Sequence, residues 1–325
     1  MKAYVCTQFG PPEVLELRET EKPVPKDNEV QIKMEATTVS GADCNLRGMT
    51  YIPTGLGLLA RMMLGFKKPR IPVQGSVVAG TVVETGKDVS RFHVGDRVFG
   101  TGPQLGGYAE YACRPETGAL SVIPSNISFA EAATLPYGTL TALWFLRELA
   151  GIKAGQKVLV NGASGGVGVY AVQLANYFGA EVTGVCSTAN TGFVRSLGAH
   201  DVIDYTKEDF RKSSRKWDII FDMVVGKTSF SRSRASLTDN GLYLAVAGGL
   251  NDMLQMIRTS ITGGKKVKFG GGTSCEVAAN LEFIASLVEE NKIKPVLDRT
   301  FSFGMMVEAH RYAESGQKKG NIAIT

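Results

Sequence analysis

The stretch 157–170, Lys157-Val-Leu-Val-Asn-Gly-Ala-Ser-Gly-Gly-Val-Gly-Val-Tyr170, decides the fold. An apolar run ends in a glycine-rich turn, and the turn opens a helix with apolar spacing at Val169, Val172, Leu174 and Ala175. The turn reads Ala163-x-Gly165-x-x-Gly168, with Ala where the first glycine of a dinucleotide fingerprint is usual. The physics fits a pyrophosphate site. Gly165 and Gly166 let the backbone approach phosphates, and Gly168 lets helix and strand pack closely. The helix N-terminus adds N–H groups and the positive end of its dipole. Glycine spacing alone is weak, but here the strand before it and the helix after it are both readable. The plain alternative is an ordinary glycine turn in an α/β protein.

Outward from the turn, residues 156–270 alternate strand and helix. Strands are expected at Val158–Asn161, Val182–Cys186, Val202–Asp204, Trp217–Asp222, Leu242–Ala247 and Val267–Phe269, with helices at 167–178 and 190–197. That rhythm is a doubly wound parallel sheet. Residues 1–122 carry short strand-like runs, such as Val30–Met34, Val77–Val83 and Arg97–Phe99, between Pro, Gly and Asp-Asn punctuation. Ser128-Phe-Ala-Glu131 is a capping box that opens a helical pattern, interrupted at Pro136 and Gly138 and resumed to Gly151. A capped helix is expected at 276–290. A strand (Val296–Phe303), a helix (305–315) and a last strand (Ile322–Thr325) follow. The expected domains are a β-rich one at 1–125, a nucleotide-binding one at 126–270, and a return to the first at 271–325.

The composition narrows the class. With 44% hydrophobic and 21% charged residues among 325, the chain reads as an ordinary globular protein with room for two domains. Its formal charge of +5 is spread out, and nothing beside the basic clusters reads as a nucleic-acid module. The five cysteines lie far apart, which argues against a disulfide framework and a cysteine-rich zinc site. No signal-peptide core opens the chain and no apolar run reaches spanning length, so a cytoplasmic, reduced protein is expected.

Several further segments stand in a recognisable order: Gly10-Pro-Pro-Glu-Val-Leu15, Val78-Ala-Gly-Thr-Val-Val-Glu-Thr-Gly86, Val94-Gly-Asp-Arg-Val-Phe-Gly100 and Gly107-Tyr-Ala-Glu-Tyr111. Leu135-Pro-Tyr-Gly-Thr-Leu-Thr-Ala142, the glycine turn, and Arg195-Ser-Leu-Gly-Ala-His-Asp-Val-Ile-Asp-Tyr205 follow. Over its full length the chain resembles the zinc-independent, quinone-oxidoreductase-like branch of the medium-chain dehydrogenase/reductase superfamily. The resemblance implies an α/β protein with a GroES-like β-rich catalytic domain and a doubly wound Rossmann domain. It also implies a cleft where nicotinamide meets substrate, and a homodimer built through the Rossmann sheet edge.

Zinc-dependent relatives hold the metal with two Cys and a His beside a Glu. The resemblance places Ser40, Ser76-Val77 and Leu135/Pro136 at those positions, and a short Gly-Thr-Gly-Pro-Gln-Leu-Gly-Gly loop where a four-Cys lobe would stand. His93, His200 and His310 read as surface or packing residues. No metal is expected, and zinc stabilisation of an alkoxide is set aside.

An NAD site has an acid at the end of the second strand. Here Cys186 takes that place, followed by Ser187 and Thr188, whose hydroxyls suit a 2′-phosphate. The resemblance adds Tyr205 to that end. Ala189-Asn190 stands where related chains have Arg or Lys. NADPH is therefore favoured, with NADH possible. By the same resemblance the cofactor contacts are Thr141, Ala163, Ser164, Gly165, Gly166, Val167, Gly168, Ala247, Gly248, Gly270 and Gly271.

On the substrate side, Ser40 replaces an Asn frequent in these relatives, and Asp43 reads as structural. Tyr51 and Tyr137 are the aromatic candidates to hydrogen-bond a substrate carbonyl, or to pack. Residues 51–72 are long and apolar, with Leu58, Leu59, Met62, Met63 and Phe66 on one face and Lys67, Lys68 and Arg70 at the end. This segment reads as a lid or substrate wall, with core or dimer packing next and membrane-surface contact least favoured.

The combined expectation is an NADPH-dependent reductase of a quinone or α,β-unsaturated carbonyl. Such an acceptor delocalises the added charge, so positioning suffices with few acid/base groups. The alternatives are an NAD(P)-dependent alcohol dehydrogenase or ketone reductase, and a nucleotide-binding protein with little catalysis.

Overall fold

The computed structural model describes residues 1–50, 52, 57–224, 226–246, 250–270 and 275–325, without the side chains of 250 and 251. Contacts divide the chain into two units. The described parts of the first are 1–50, 52, 57–140 and 275–325, and those of the second fall within 141–270. The boundary lies inside the helix Pro136–Leu143, between Leu140 and Thr141, rather than at the expected 125/126. The capped helix Phe129–Ala133 accounts for part of the difference, because it packs on strands of the first unit.

The strands of the first unit are β1 (Lys2–Cys6), β2 (Leu15–Glu19), β3 (Glu29–Thr38), β4 (Val77–Thr85), β5 (Arg97–Thr101), β6 (Tyr111–Pro115) and β7 (Ala119–Val122). The strands of the second are β8 (Lys157–Asn161), β9 (Glu181–Cys186), β10 (Asp201–Asp204), β11 (Trp217–Asp222), β12 (Leu237–Ala245) and β13 (Lys266–Phe269). The chain then returns to the first unit with β14 (Leu297–Phe301) and β15 (Asn321–Ile324).

β1 and β2 pair with each other, and the main sheet of this unit runs β14-β15-β3-β4-β5-β7, with β6 on β3. Alternating side chains build its core from Val30, Ile32, Val78, Val82, Val98 and Leu120. The C-terminal return is fixed by pairing: Ala323 faces Thr38 across an antiparallel ladder, and the Thr38 hydroxyl donates to the Ile322 carbonyl at 2.5 Å.

One buried charge ties this unit together. Arg47 is 1% exposed, and its Nη2 donates to Glu314 Oε1 on the helix Met306–Glu314. Nearby, His310 is fully buried, 3.7 Å from the Cys44 thiol through Nδ1, and edge-on to Tyr108. Burial holds its imidazole down to about 3, so it stays neutral.

The second unit is the expected doubly wound sheet, ordered β10-β9-β8-β11-β12-β13 and parallel throughout. Val158, Leu159 and Val160 are fully buried because helices cover both faces of a parallel sheet. Succession runs one way from β8 to β10 and the other way from β11 to β13. The carboxyl ends of β8 and β11 therefore flank a topological switch point, where such sheets bind ligands.

Among the described residues the helix Gly41–Gly48 has no counterpart in the sequence reading, and Phe230–Ser233 and Leu250–Ile261 supply helical segments between strands. The expected capped helix at 276–290 runs Ala278–Glu289, with Val277 at its N-cap and no side-chain cap bond.

Candidate functional site

The glycine turn follows directly from β8. Gly162 takes φ +89°, a left-handed conformation that costs glycine least, and turns the chain at the strand end. Its carbonyl accepts from Gly165 N–H at 3.0 Å, while Gly162 and Ala163 N–H both donate to Val185 O on β9 at 3.2 and 3.0 Å. Gly168 begins the helix Gly168–Tyr177, and a Cβ there would sit 2.1 Å from the Gly162 carbonyl oxygen. A Cβ at Gly165 would meet the same oxygen at 3.3 Å. Ser164, Gly165, Gly166 and Val167 remain half-exposed at the tip. This is a backbone cradle at a helix start, and it fits a pyrophosphate.

The Ala at the first fingerprint position is accommodated across the sheet. Ala163 is fully buried, and its methyl lies 3.2 Å from where a Cβ on Gly184 of β9 would be. Gly184 makes the room that a first glycine would otherwise supply.

Behind the turn lies a polar brace that the sequence did not signal. Asp222, at the end of β11, accepts from Asn161 Nδ2 at 2.8 Å and Val224 N–H at 3.0 Å, and from the Thr228 and Tyr243 hydroxyls. Asn161 immediately precedes Gly162, so the brace fixes where the turn begins. Asn190 is a second tie, since its amide donates to Ser164 Oγ at 3.2 Å and Ser187 Oγ at 3.4 Å. It joins the glycine turn to the loop after β9.

At that loop the structure adds a charged group. No acid ends β9, but β10 pairs beside it and sets Asp204 opposite Cys186. Asp204 accepts from the Thr188 hydroxyl at 2.5 Å and the Thr206 hydroxyl at 2.7 Å, and it ion-pairs with Lys207 at 3.5 Å. Those hydroxyls, Thr188 first, hold its carboxyl down to about 2. A carboxylate on the neighbouring strand thus stands beside the end of β9, and the Thr188 proton is committed to it. Tyr205, 63% exposed, donates its N–H to the Cys186 carbonyl at 3.0 Å.

The depressed pKa gives Asp204 a pH signature. Its folded value lies below the unfolded carboxylate value of about 4, so its stabilising contribution is complete above that pH and fades as pH falls toward 2. An Asp204→Asn variant is expected to lose that acid-range component of the unfolding profile. The same change should raise affinity for a 2′-phosphorylated dinucleotide about tenfold over the unphosphorylated one, since a charge is removed and the Thr188 proton freed. Titration calorimetry with both dinucleotides checks it, and an unchanged ratio would place Asp204 outside the recognition site.

Elsewhere in this unit, Thr141 is 9% exposed. Gly270 lies against the indole of Trp144, where a Cβ would approach within 2.4 Å. Ala247, Gly248 and Gly271 lie outside the described residues, as does Tyr51 of the substrate set.

In the first unit, Ser40 caps the helix Gly41–Gly48. Asp43 N–H donates to its Oγ at 3.2 Å, and Ser40 N–H and Oγ–H donate to Asp43 Oδ2 at 2.8 and 2.6 Å. The spacing is the same capping box as Ser128-x-x-Glu131. Ser40 is 2% exposed and its proton serves Asp43. Ser76 N–H also points at Asp43, at 3.4 Å. Burial raises the Asp43 carboxyl despite these donors. Tyr137 is half-buried, and burial, with the charges of Asp43, Cys275 and Glu276, pushes its phenol up to about 12. The phenol therefore keeps its proton at neutral pH and stays a donor. Among the described residues no group of three or more His, Cys, Asp or Glu side chains is placed to hold a metal ion.

Comparison with known proteins bears on the whole chain. The family model described as alcohol dehydrogenase GroES-like domain matches residues 26–125, and the one described as zinc-binding dehydrogenase matches residues 197–324. A chloroplast envelope quinone oxidoreductase homolog of Arabidopsis thaliana is 37% identical over 93% of this chain and 91% of its own. A 2-methylene-furan-3-one reductase of Solanum lycopersicum is 33% identical, covering 100% of this chain and 79% of its own. The solved structure of the quinone oxidoreductase from Coxiella burnetii superposes with TM-score 0.86 at 29% identity, covering 100% of this chain and 98% of its own.

Proposed function

The chain belongs to the quinone-oxidoreductase-like branch of the medium-chain dehydrogenase/reductase superfamily, and from that membership we propose an NAD(P)H-dependent reductase of quinones and α,β-unsaturated carbonyls. One observation carries the reading: the cradle from Gly162 to Gly168, closed to any side chain at its helix end and open at its tip. When bound there, a reduced nicotinamide dinucleotide supplies a hydride.

The residues have separable tasks. The backbone at 163–168 holds the pyrophosphate, braced by Asn161–Asp222 and tied by Asn190. Ser187, Thr188 and Tyr205 face the adenosine ribose, with Thr141 and Gly270 toward the nicotinamide. NADPH is the preferred form, since no acid ends β9 and the Asp204 charge is answered by Lys207 and two hydroxyls. NADH is also accepted.

Tyr137 donates its phenolic proton in a hydrogen bond to the acceptor carbonyl, where charge builds as reduction proceeds. The raised pKa keeps that proton on the phenol throughout the neutral range. Ser40 and Asp43 hold the local backbone. No metal enters this scheme: Ser40, Ser76 and Leu135 stand at the ligand positions of zinc-dependent relatives, and hydroxyl and hydrocarbon side chains are poor zinc donors.

Five free thiols suit a reducing compartment such as the cytoplasm. A homodimer through the open β13 edge completes the proposal, because that strand ends the sheet order.

The test is steady-state oxidation of NADPH and NADH against a panel of quinones, enones and saturated ketones. Turnover on conjugated acceptors, better with NADPH, is expected. Turnover on saturated ketones alone would overturn the substrate class. Tyr137→Phe should lower kcat on enones about thirtyfold, the worth of one hydrogen bond to developing charge, with the NADPH Kd unchanged. An unaltered kcat would remove Tyr137 from the site.

A further inference from the structure

Residues 57–71, in the first unit, form an apolar and cationic surface that the reductase reading leaves unexplained. The helix Gly57–Leu64 buries none of its residues. Leu58, Leu59, Met62 and Met63 are 69%, 53%, 52% and 67% exposed, and Phe66 follows at 55%. Leu58/Met62 and Leu59/Met63 are each four residues apart, so the four side chains form one stripe.

The platform is built into the fold. Gly65 takes φ +119°, and a Cβ there would lie 2.1 Å from the Lys68 carbonyl oxygen. Arg61 Nη1 donates to the Phe66 carbonyl at 2.8 Å, Arg70 N–H to Leu64 O at 2.9 Å, and Phe9 N–H to Lys67 O at 3.3 Å. These bonds set Phe66 and the exposed Lys67, Lys68 and Arg70 just beyond the stripe. Residues 51–72 contain no Asp or Glu. Among the described residues none of Arg61, Lys67, Lys68 and Arg70 takes part in an ion pair.

We propose that residues 57–71 dock the protein on an anionic lipid surface, with Leu58, Leu59, Met62, Met63 and Phe66 entering the acyl boundary and the cations meeting the headgroups. Charge selects this occupant. A second copy of the chain seated symmetrically here would set four cations against four with no acid in the segment to answer them. A bilayer of anionic lipid supplies both the apolar layer and the opposite charge. The contact is peripheral, and among the described residues no helix is long and apolar enough to cross a membrane.

Co-sedimentation of the full-length protein with unilamellar vesicles tests it. Binding is expected to phosphatidylcholine vesicles containing a third phosphatidylglycerol, weak on phosphatidylcholine alone, and reduced by high salt as screening shortens. Lys67→Glu/Lys68→Glu should weaken the anionic binding about thirtyfold. Leu59→Ser/Met63→Ser should weaken it at every lipid composition. All four positions are solvent-exposed, and circular dichroism confirms that each variant folds. No binding to anionic vesicles, or undiminished binding by the charge-reversed variant, would overturn the proposal. A dimer that dissociates on Leu59→Ser/Met63→Ser would instead assign the face to a second copy. A raised acceptor KM in those variants without altered vesicle binding would assign it to a substrate lid.

Discussion

Replacing Gly168 with Ala is expected to abolish measurable NADPH binding, a loss of at least about a thousandfold. The added Cβ would stand 2.1 Å from the Gly162 carbonyl oxygen and 2.9 Å from two backbone atoms of Ala163. None of these is a flexible side-chain end. The helix Gly168–Tyr177 must retreat from β8, and the Gly165 N–H bond to Gly162 O is lost with it. The same collapse would disturb the second unit's packing, so a milder variant separates binding from folding. Gly165→Asp places its Cβ 3.3 Å from one carbonyl, a fit the turn can absorb, yet sets a carboxylate at the cradle. It should keep the native circular dichroism and weaken NADPH binding about a hundredfold, by repulsion of the pyrophosphate. Fluorescence titration of both variants checks the pair. Native affinity in a folded Gly165→Asp protein would mean that the turn is not the cradle.

Glu314→Ala is expected to destabilise the first unit by about 3 kcal/mol. Arg47 is 1% exposed, its Nε and Nη1 find no partner among the described residues, and Glu314 is the carboxylate bonded to its Nη2. Removing Glu314 leaves a buried guanidinium uncompensated. The lower end of the usual range applies, because the Glu314 side chain is itself a third exposed and water can enter in its place. The double variant Arg47→Met/Glu314→Leu should recover most of the loss, since an apolar pair of similar size costs little where an ion pair was buried. Urea unfolding midpoints of the single and double variants test this. Equal destabilisation in both would mean that packing, rather than the stranded charge, sets the cost.

These two sites show what the chain's order reveals and what it hides. The glycine turn is legible because strand, turn and helix are contiguous, and each glycine has a local reason. The strands of the second unit fall close to where apolar runs predict them, save that β12 starts at Leu237 rather than Leu242, and they pair in the doubly wound order. The Arg47–Glu314 pair is not legible, because its partners are joined only when the last helix packs near the first.

The position of Asp204 is hidden for a related reason: it lies on β10, and only the sheet register sets it beside the end of β9. The helix Gly41–Gly48 was missed although Ser40 and Asp43 spell the same cap as Ser128 and Glu131. The apolar residues of 58–63 share one face in the sequence and in the helix, but a hydrophobic face alone does not say whether it turns inward. Here it turns to solvent.

Isotope tracing shows whether a dinucleotide held at 162–168 reduces a conjugated acceptor. NADPH deuterated at the transferred position of nicotinamide C4 would be incubated with the protein and an enone, and the product examined by NMR. One deuterium is expected at the carbon β to the carbonyl, appearing about a hundredfold more slowly with Gly165→Asp at the same subsaturating NADPH concentration. Tight NADPH binding with no NADPH oxidation by any quinone and no labelled product from any enone would contradict that reduction.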